Sequence, residues 1–448
     1  MRRLSMLRIT LLTGVAAASL SLAGLALSEM LPLPAHPSTA VTSRSLLTES
    51  FDDSLPNALQ LRRGQYLVAA GDCISCHQRE GGEPFAGGLG LNTPFGVIYT
   101  PNITPDRNTG IGVWTRDQFY RAMHDGKGAQ GEDLYPAFPY PWFRRVSRED
   151  DDAIFAYLTT VPAVNYTPPK NDLSFPLNFR SMIGAWNMMF LDSNSFQTDP
   201  GQSAEWNRGA YLVTGLGHCG GCHTPKNFLG ADKSKQELHG GNLDNWVAPD
   251  LTSNSHIGLG DWSVDDIAEF LATGRNAHAA AGGAMADVIT HSTSHVSDAD
   301  RRAIAVYLKS QPPSPSDASS APDAGAMHRG SEIYSDSCSS CHLDNGIGQS
   351  RLFPPLGKDA MLQQPDPTGL EHLILGGTRV GVSASRPSPL GMPSFAWKLT
   401  DQEIADVSTY IRNSWGNHAA PVAASDVSAL RKKLNLETVH LTDNSGDH

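Results

Sequence analysis

Gly71-Asp72-Cys73-Ile74-Ser75-Cys76-His77, Gly217-His218-Cys219-Gly220-Gly221-Cys222-His223 and Ser337-Cys338-Ser339-Ser340-Cys341-His342 decide how the rest of this chain is read. Together they hold all 6 cysteines of its 448 residues. Composition alone would produce a Cys-x-x-Cys-His string about 0.003 times in such a chain, so three of them are no accident. Two thiols three positions apart reach the two vinyl groups of one porphyrin. The histidine that follows is then held below the ring, where its imidazole ligates the iron. Zinc prefers closely spaced Cys/His pairs that converge on one tetrahedron, whereas these motifs stand more than a hundred residues apart. A redox-active dithiol calls for a βαβ context and leaves the following histidine unexplained. The reading is three covalent haem c groups on Cys73/Cys76, Cys219/Cys222 and Cys338/Cys341, with His77, His223 and His342 as axial iron ligands.

Outward from the motifs the chain repeats itself. Arg63-Gly64-Gln65-Tyr66, Arg208-Gly209-Ala210-Tyr211 and Arg329-Gly330, with Tyr334, precede them. Ser147 with Asp150, Ser297 with Asp300 and Thr400 with Glu403 have the spacing of helix N-caps, each opening an amphipathic run. Pro101-Asn102-Ile103-Thr104 matches Pro249-Asp250-Leu251-Thr252, and Trp114 matches Trp262 thirteen residues later in both. The expected fold is mostly α, with three tandem cytochrome c-like domains at 58–170, 201–311 and 326–416. A Pro/Ser/Ala linker occupies 312–325 and a tail 417–448. With 448 residues the chain exceeds what one core serves, and 42 glycines and 30 prolines make it loop-rich. Its net charge of −12 argues against a nucleic-acid partner.

The N-terminus has the form of an export signal, 1–28. Arg2, Arg3 and Arg8 precede an uncharged run from Ile9 to Ser28 that ends in small residues. No later stretch is suited to spanning a bilayer, because the most apolar one, Leu173 to Asp192, is interrupted by Arg180. The tail carries Arg431-Lys432-Lys433, at best a weak interfacial helix.

A methionine commonly fills the sixth iron site of an electron-transfer cytochrome. Met392 lies 50 residues after His342, and Met285 lies 62 after His223, both on stretches expected to be loops. Counting 61 residues from His77 reaches Phe138, which cannot ligate iron. Met123 is the nearest methionine and a candidate sixth ligand of the first haem. Aligning Trp114 on Trp262 places it opposite Leu271, a core position, and puts His124 on a solvated face. The first haem is therefore expected to be five-coordinate, or ligated by Met123, or by Met182, Met188 or Met189 of the apolar connector. Acceptors for the second nitrogen of each ligating imidazole are expected in the carbonyls of Pro101, Pro249 and Pro355.

Beyond the motifs, Phe85-Ala86-Gly87-Gly88, Asn102-Ile103-Thr104-Pro105-Asp106, Leu134-Tyr135-Pro136-Ala137, Gly215-Leu216-Gly217-His218-Cys219 and Met392-Pro393-Ser394-Phe395-Ala396-Trp397 make the chain resemble the three-haem cytochrome c subunits of membrane-bound alcohol, aldose and gluconate dehydrogenases. The resemblance runs over residues 58 to 416. It implies an electron-transfer subunit on the periplasmic side of the bacterial cytoplasmic membrane. The electrons would come from a quinoprotein or flavoprotein partner oxidising CH-OH donors and would pass to ubiquinone. The chain would not be catalytic alone and would bind no pyrroloquinoline quinone, flavin or NAD of its own; no G-x-G-x-x-G fingerprint opens a βαβ unit. The family's usual methionine after Tyr-Pro-Ala is the position of Phe138. Two other functions are compatible with the residues: peroxide or small-ligand chemistry at an open first haem, and a free periplasmic shuttle.

Overall fold

A computed structural model describes residues 46–48, 50–192, 194–315 and 319–436. The export signal expected at 1–28 lies outside the described residues, as does the end of the tail from 437 onward. Among the described residues no helix is long and apolar enough to cross a membrane.

The same short plan appears three times. In the first stretch, helix α1 (Ala58–Ala70) runs into the single turn α2 (Cys73–Cys76). Next come the hairpin β1 (Gly90–Thr93) and β2 (Gly96–Tyr99), then α3 (Arg116–Asp125), α4 (Tyr140–Phe143) and α5 (Arg148–Leu158). Strand β3 (Asp172–Leu173) pairs with β2, and α6 (Ser181–Phe190) leads away. The second stretch holds α7 (Ala204–Tyr211), a π-helical turn at Leu212–Leu216, α8 (Gly220–His223) and the hairpin β4 (Gly241–Leu243) with β5 (Trp246–Ala248). It closes with α9 (Val264–Thr273), α10 (Ala284–His291) and α11 (Asp298–Lys309). The third holds α12 (Ala324–Ser337), α13 (Ser339–His342) and α14 (Thr368–Gly376), then β6 (Thr378–Arg379) paired with β7 (Gly391–Met392), α15 (Asp401–Ile411) and α16 (Ala424–Lys433). The strands are short, so the expected mostly α character is seen.

The caps form where the sequence places them. Ser147, Ser297 and Thr400 accept from the backbone N–H of Asp150, Asp300 and Glu403 respectively. Only Glu403 closes the box by reaching back to its own cap. The other two acids bind arginines instead: Arg63 Nε donates to Asp150 (2.6 Å) and Arg208 Nε to Asp300 (2.8 Å). Arg329 makes the matching bond to Asp406 (2.7 Å). Each Arg-Gly pair therefore marks a crossing of the stretch's opening helix with its closing one. The arginine ties the two together, and the glycine lets their backbones touch. A Cβ on Gly64, Gly209 or Gly330 would lie 2.7, 2.6 or 2.8 Å from the carbonyl carbon of Ala153, Ala303 or Asp406.

Three apolar clusters fill the molecule, one around each crossing. The first gathers Leu67, Ile74, Phe119, Met123, Ile154 and Tyr157, and reaches into the second stretch through Leu216 and Val296. The second contains Leu212, Trp262, Leu271 and Ile304. The third contains Tyr334, Leu375, Ile404 and Val407, and also Val427 and Leu430 of α16. The apolar side of the basic tail segment is thus packed against the third cluster. Arg431 is buried, bonded to Asp401 and to the carbonyls of Ala396 and Leu399, while Lys432 and Lys433 stay outside.

Candidate haem sites

Each cysteine motif forms one helical turn. The histidine N–H donates to the carbonyl of the first cysteine at 3.0 Å in the first two motifs and 3.1 Å in the third. That turn brings residues three apart to one side, so both thiols of a motif face the same way. None of the six sulfurs is in a disulfide. Burial pushes the Cys73, Cys76 and Cys219 thiols up to about 12 and Cys338 to about 11. Among the described residues no group of three or more His, Cys, Asp or Glu side chains is placed to hold a metal ion.

The histidines are prepared alike. His77 Nδ1 lies 2.7 Å from the carbonyl of Pro101, His223 Nδ1 2.6 Å from that of Pro249, and His342 Nδ1 3.0 Å from that of Pro354. A carbonyl only accepts, so Nδ1 carries the proton and Nε2 keeps its lone pair for a metal. Burial lowers all three imidazoles below their ordinary range and keeps them neutral, the proline carbonyls opposing. The third acceptor is Pro354 and not Pro355 as expected from sequence. Only 12 residues separate His342 from Pro354, against 24 and 26 in the first two stretches. A tight loop with a Gln349–Phe353 bridge replaces their longer return.

Phe138 and Cys73 pack against the first cluster, Met285 and Cys219 against the second, and Met392 and Cys338 against the third. Met285 and Met392 are not on loops as expected: Met285 sits in the first turn of α10 and Met392 in β7. Met123 belongs to the first cluster with Phe119 and Phe155 and is 4% exposed. His124 is not solvated. It is buried, its Nε2 2.7 Å from Asp151 and its ring stacked on Tyr120 at 4.0 Å. The connector methionines Met182, Met188 and Met189 are 44, 90 and 61% exposed on α6.

Each of the first two motifs touches a helix of the other's stretch. Ser75 Oγ is 3.1 Å from His291 Nδ1 on α10, and Trp142 packs its ring edge on Gly220 inside the second motif. A reciprocal brace that sequence reading missed holds the two stretches together. Tyr66 donates to Asp300 and Tyr211 to Asp150, both at 2.6 Å. Each hydroxyl also accepts from the cap N–H of the opposite stretch, Ser297 or Ser147. The third stretch has Glu332 at this register and joins the second by other means. Arg351 pairs with Glu269 at 2.6 Å, and His372 stacks on Trp246 at 3.9 Å.

Paired thiols one turn apart, an imidazole with a free Nε2 and an apolar cluster behind them suit a covalently held porphyrin, and together they define a c-type cytochrome. Residues 327–415 match a sequence model of the cytochrome c family. The chain is 42% identical over 421 residues to the gluconate 2-dehydrogenase cytochrome c subunit of Pantoea cypripedii, covering 88% of this chain and 94% of that one. It is 42% identical to the cytochrome c subunit of the quinone alcohol dehydrogenase of Gluconobacter oxydans, covering 83 and 82%. To the fructose dehydrogenase cytochrome subunit of Gluconobacter japonicus it is 36% identical, again covering 83 and 82%. The chain belongs to this family of dehydrogenase cytochrome c subunits.

Proposed function

We propose that the chain is the electron-transfer subunit of a membrane-bound dehydrogenase complex and carries three haems, one on each Cys-x-x-Cys-His turn. Domains at 58–170, 201–311 and 326–416 would each hold one, the last extended by α16. The repetition of the Nδ1-to-proline-carbonyl bond at all three histidines carries this reading. An imidazole so oriented presents Nε2 to a metal, and the adjacent thiols fix the porphyrin over it. When bound, the haem iron supplies one-electron redox chemistry. The protein's part is to hold each group at a fixed place: the cysteines attach it, His77, His223 and His342 orient the iron, and Met285 and Met392 complete the second and third sites. A quinoprotein or flavoprotein subunit oxidising an alcohol, sugar or sugar acid would be the donor. Ubiquinone would be the acceptor, on the periplasmic side of the cytoplasmic membrane.

The test is expression in a host that matures haem c, with and without the neighbouring dehydrogenase subunit. The expected result is three haems per chain, reduced by substrate only when the dehydrogenase subunit is present. A colourless product with six titratable thiols would sink the reading. Full reduction by substrate without the dehydrogenase subunit would sink the donor assignment.

A further inference from the structure

The backbone gives an internal ruler for the sixth ligand. Helices α3 and α9 end on glycines in the left-handed conformation, Gly126 (φ 60°) and Gly274 (φ 72°). The chain then loops out and returns to the same point. The carbonyl of Gly126 accepts from Leu134 N–H at 2.7 Å, and that of Gly274 from Ala281 N–H at 2.7 Å. Four residues past the return stand Phe138 in one case and Met285 in the other. Three residues before the glycines stand Met123 and Leu271, both in their cluster cores. The ruler equates Met123 with a leucine and Phe138 with Met285, which packs against the same cluster as Cys219. The α6 methionines lie beyond α5, outside this register, on an exposed helix.

From this register we infer that the first haem iron, on His77, has no protein ligand on its Phe138 side and is a binding site for a small neutral ligand of ferrous iron, of the carbon monoxide class. The inference rests on the haem assignment proposed above. A phenyl ring has no lone pair to give, so it caps the site without filling it.

The surroundings set the ligand's chemistry. Phe143 is 5.6 Å and Tyr140 6.3 Å from the Phe138 ring, centroid to centroid. The polar groups of this stretch are already engaged. Tyr140 donates to Asn187 at 2.7 Å, Tyr135 to the Leu177 carbonyl at 3.0 Å, and His124 is held by Asp151. His218, whose ring meets Phe143 at 5.2 Å, gives its Nδ1 proton to the Leu216 carbonyl. With these donors engaged, an anion would be buried without their help, which is costly, so cyanide and azide are disfavoured relative to a neutral diatomic.

The experiment is carbon monoxide titration of the dithionite-reduced, fully haem-loaded chain, read by optical difference spectra. The haem count is measured on the same sample. One carbon monoxide per three haems is expected. F138M should weaken binding on the order of 100-fold and add a methionine-ligated ferric charge-transfer band. F138L, which also lacks a ligand atom, should keep the site. M123L should bind as the natural chain does. Three haems with no carbon monoxide bound would overturn this inference alone, as would a site that appears only in M123L. Fewer than three haems would overturn the assignment beneath it as well.

Discussion

Gly64→Ala is the substitution whose sign the helix crossing decides. In an isolated helix the change stabilises by about 1 kcal/mol, because glycine gives up more backbone freedom on folding. In α1 the new methyl carbon would lie 2.7 Å from the Ala153 carbonyl carbon and 2.8 Å from Tyr157 Cβ. Ordinary carbon–carbon contact is about 3.7 Å, so the two helices must part by about 1 Å. The obstacle is backbone, which no rotamer change relieves. Parting loosens the packing of Tyr157, 1% exposed, and draws Arg63 away from Asp150. Overpacking of this kind costs roughly 1–3 kcal/mol and more where backbone must move, so after the helix gain a net loss of about 2 kcal/mol is expected. Urea unfolding of the haem-loaded chain, followed by far-UV circular dichroism, measures it. Gly184→Ala on α6 is the control: its Cβ would find Asp133 no closer than 3.4 Å, and it should be neutral or stabilising. If Gly64→Ala unfolds at or above the natural midpoint, the glycine is not there for the crossing and the reasoning fails.

The reciprocal brace predicts that Y66F and Y211F each cost about 1.5 kcal/mol, the range for a hydrogen bond to a charged group. E332Q, at the same register of the third stretch, should cost less than about 0.5 kcal/mol; equal effects of all three in urea unfolding would refute the brace. Burial, helped by Asp426 and Asp366 and opposed by Arg412, pushes the Glu371 carboxyl up to about 7 from 4.5, and its Oε1 has no hydrogen-bond partner. The native state therefore keeps a proton that the unfolded chain releases. The stability that Glu371 contributes is full below pH 4.5, is lost as the pH rises to about 7 and stays absent above it. The urea midpoint of the natural chain relative to that of E371Q should therefore fall across this window, and a difference that stays constant or rises would contradict it. Replacing Cys219 and Cys222 by alanine should leave two haems on the chain, measured as the pyridine haemochrome; an unchanged count would remove the second motif from the assignment.

Local signals in the sequence were sufficient where one short stretch determines the geometry. The haem turns, the three caps, and the carbonyls of Pro101 and Pro249 all depend on residues close in the chain or matched between two copies. Features that need a partner from far away were harder to see. His124 looks like a polar residue on an amphipathic helix until Asp151, 27 positions on, is brought against it. Met285 begins a helix with no side-chain cap, following Gly283 at φ 56°, so no capping residue marked the boundary. Val427 and Leu430 have helical spacing in α16, but the adjacent Arg431-Lys432-Lys433 made the segment look like a weak interfacial helix and gave no sign of its packing on the third cluster. The repeated Arg-Gly was visible, and its reason was not, because the carboxylates that bind the arginines lie between 77 and 92 residues away.

The differences among the three copies say more about the molecule than their likeness. Tyr66 and Tyr211 occupy the same place in their helices, and each reaches the acid that its counterpart's arginine already holds. One residue type at one register thus makes a two-way lock between the first and second stretches, and Glu332 ends it at the third. A carrier of electrons needs its redox centres at fixed separations, since a shift at one site alters transfer to the next. The lock does this for the pair in which Ser75 of the first motif meets His291 of α10 and Gly220 of the second motif meets Trp142 of α4. The third stretch is joined to the second by an ion pair, Arg351 with Glu269, by a ring stack, Trp246 with His372, and by hydrogen bonds such as those from Gly283 N–H to Thr378 and from Gln364 to the Ile257 carbonyl. High salt screens an exposed ion pair more than a half-buried phenol–carboxylate bond. The Arg351–Glu269 contact should therefore weaken with salt before the Tyr66–Asp300 contact does. Loss of the Tyr66–Asp300 contact at high salt, with Arg351–Glu269 intact, would reverse that order and the argument with it.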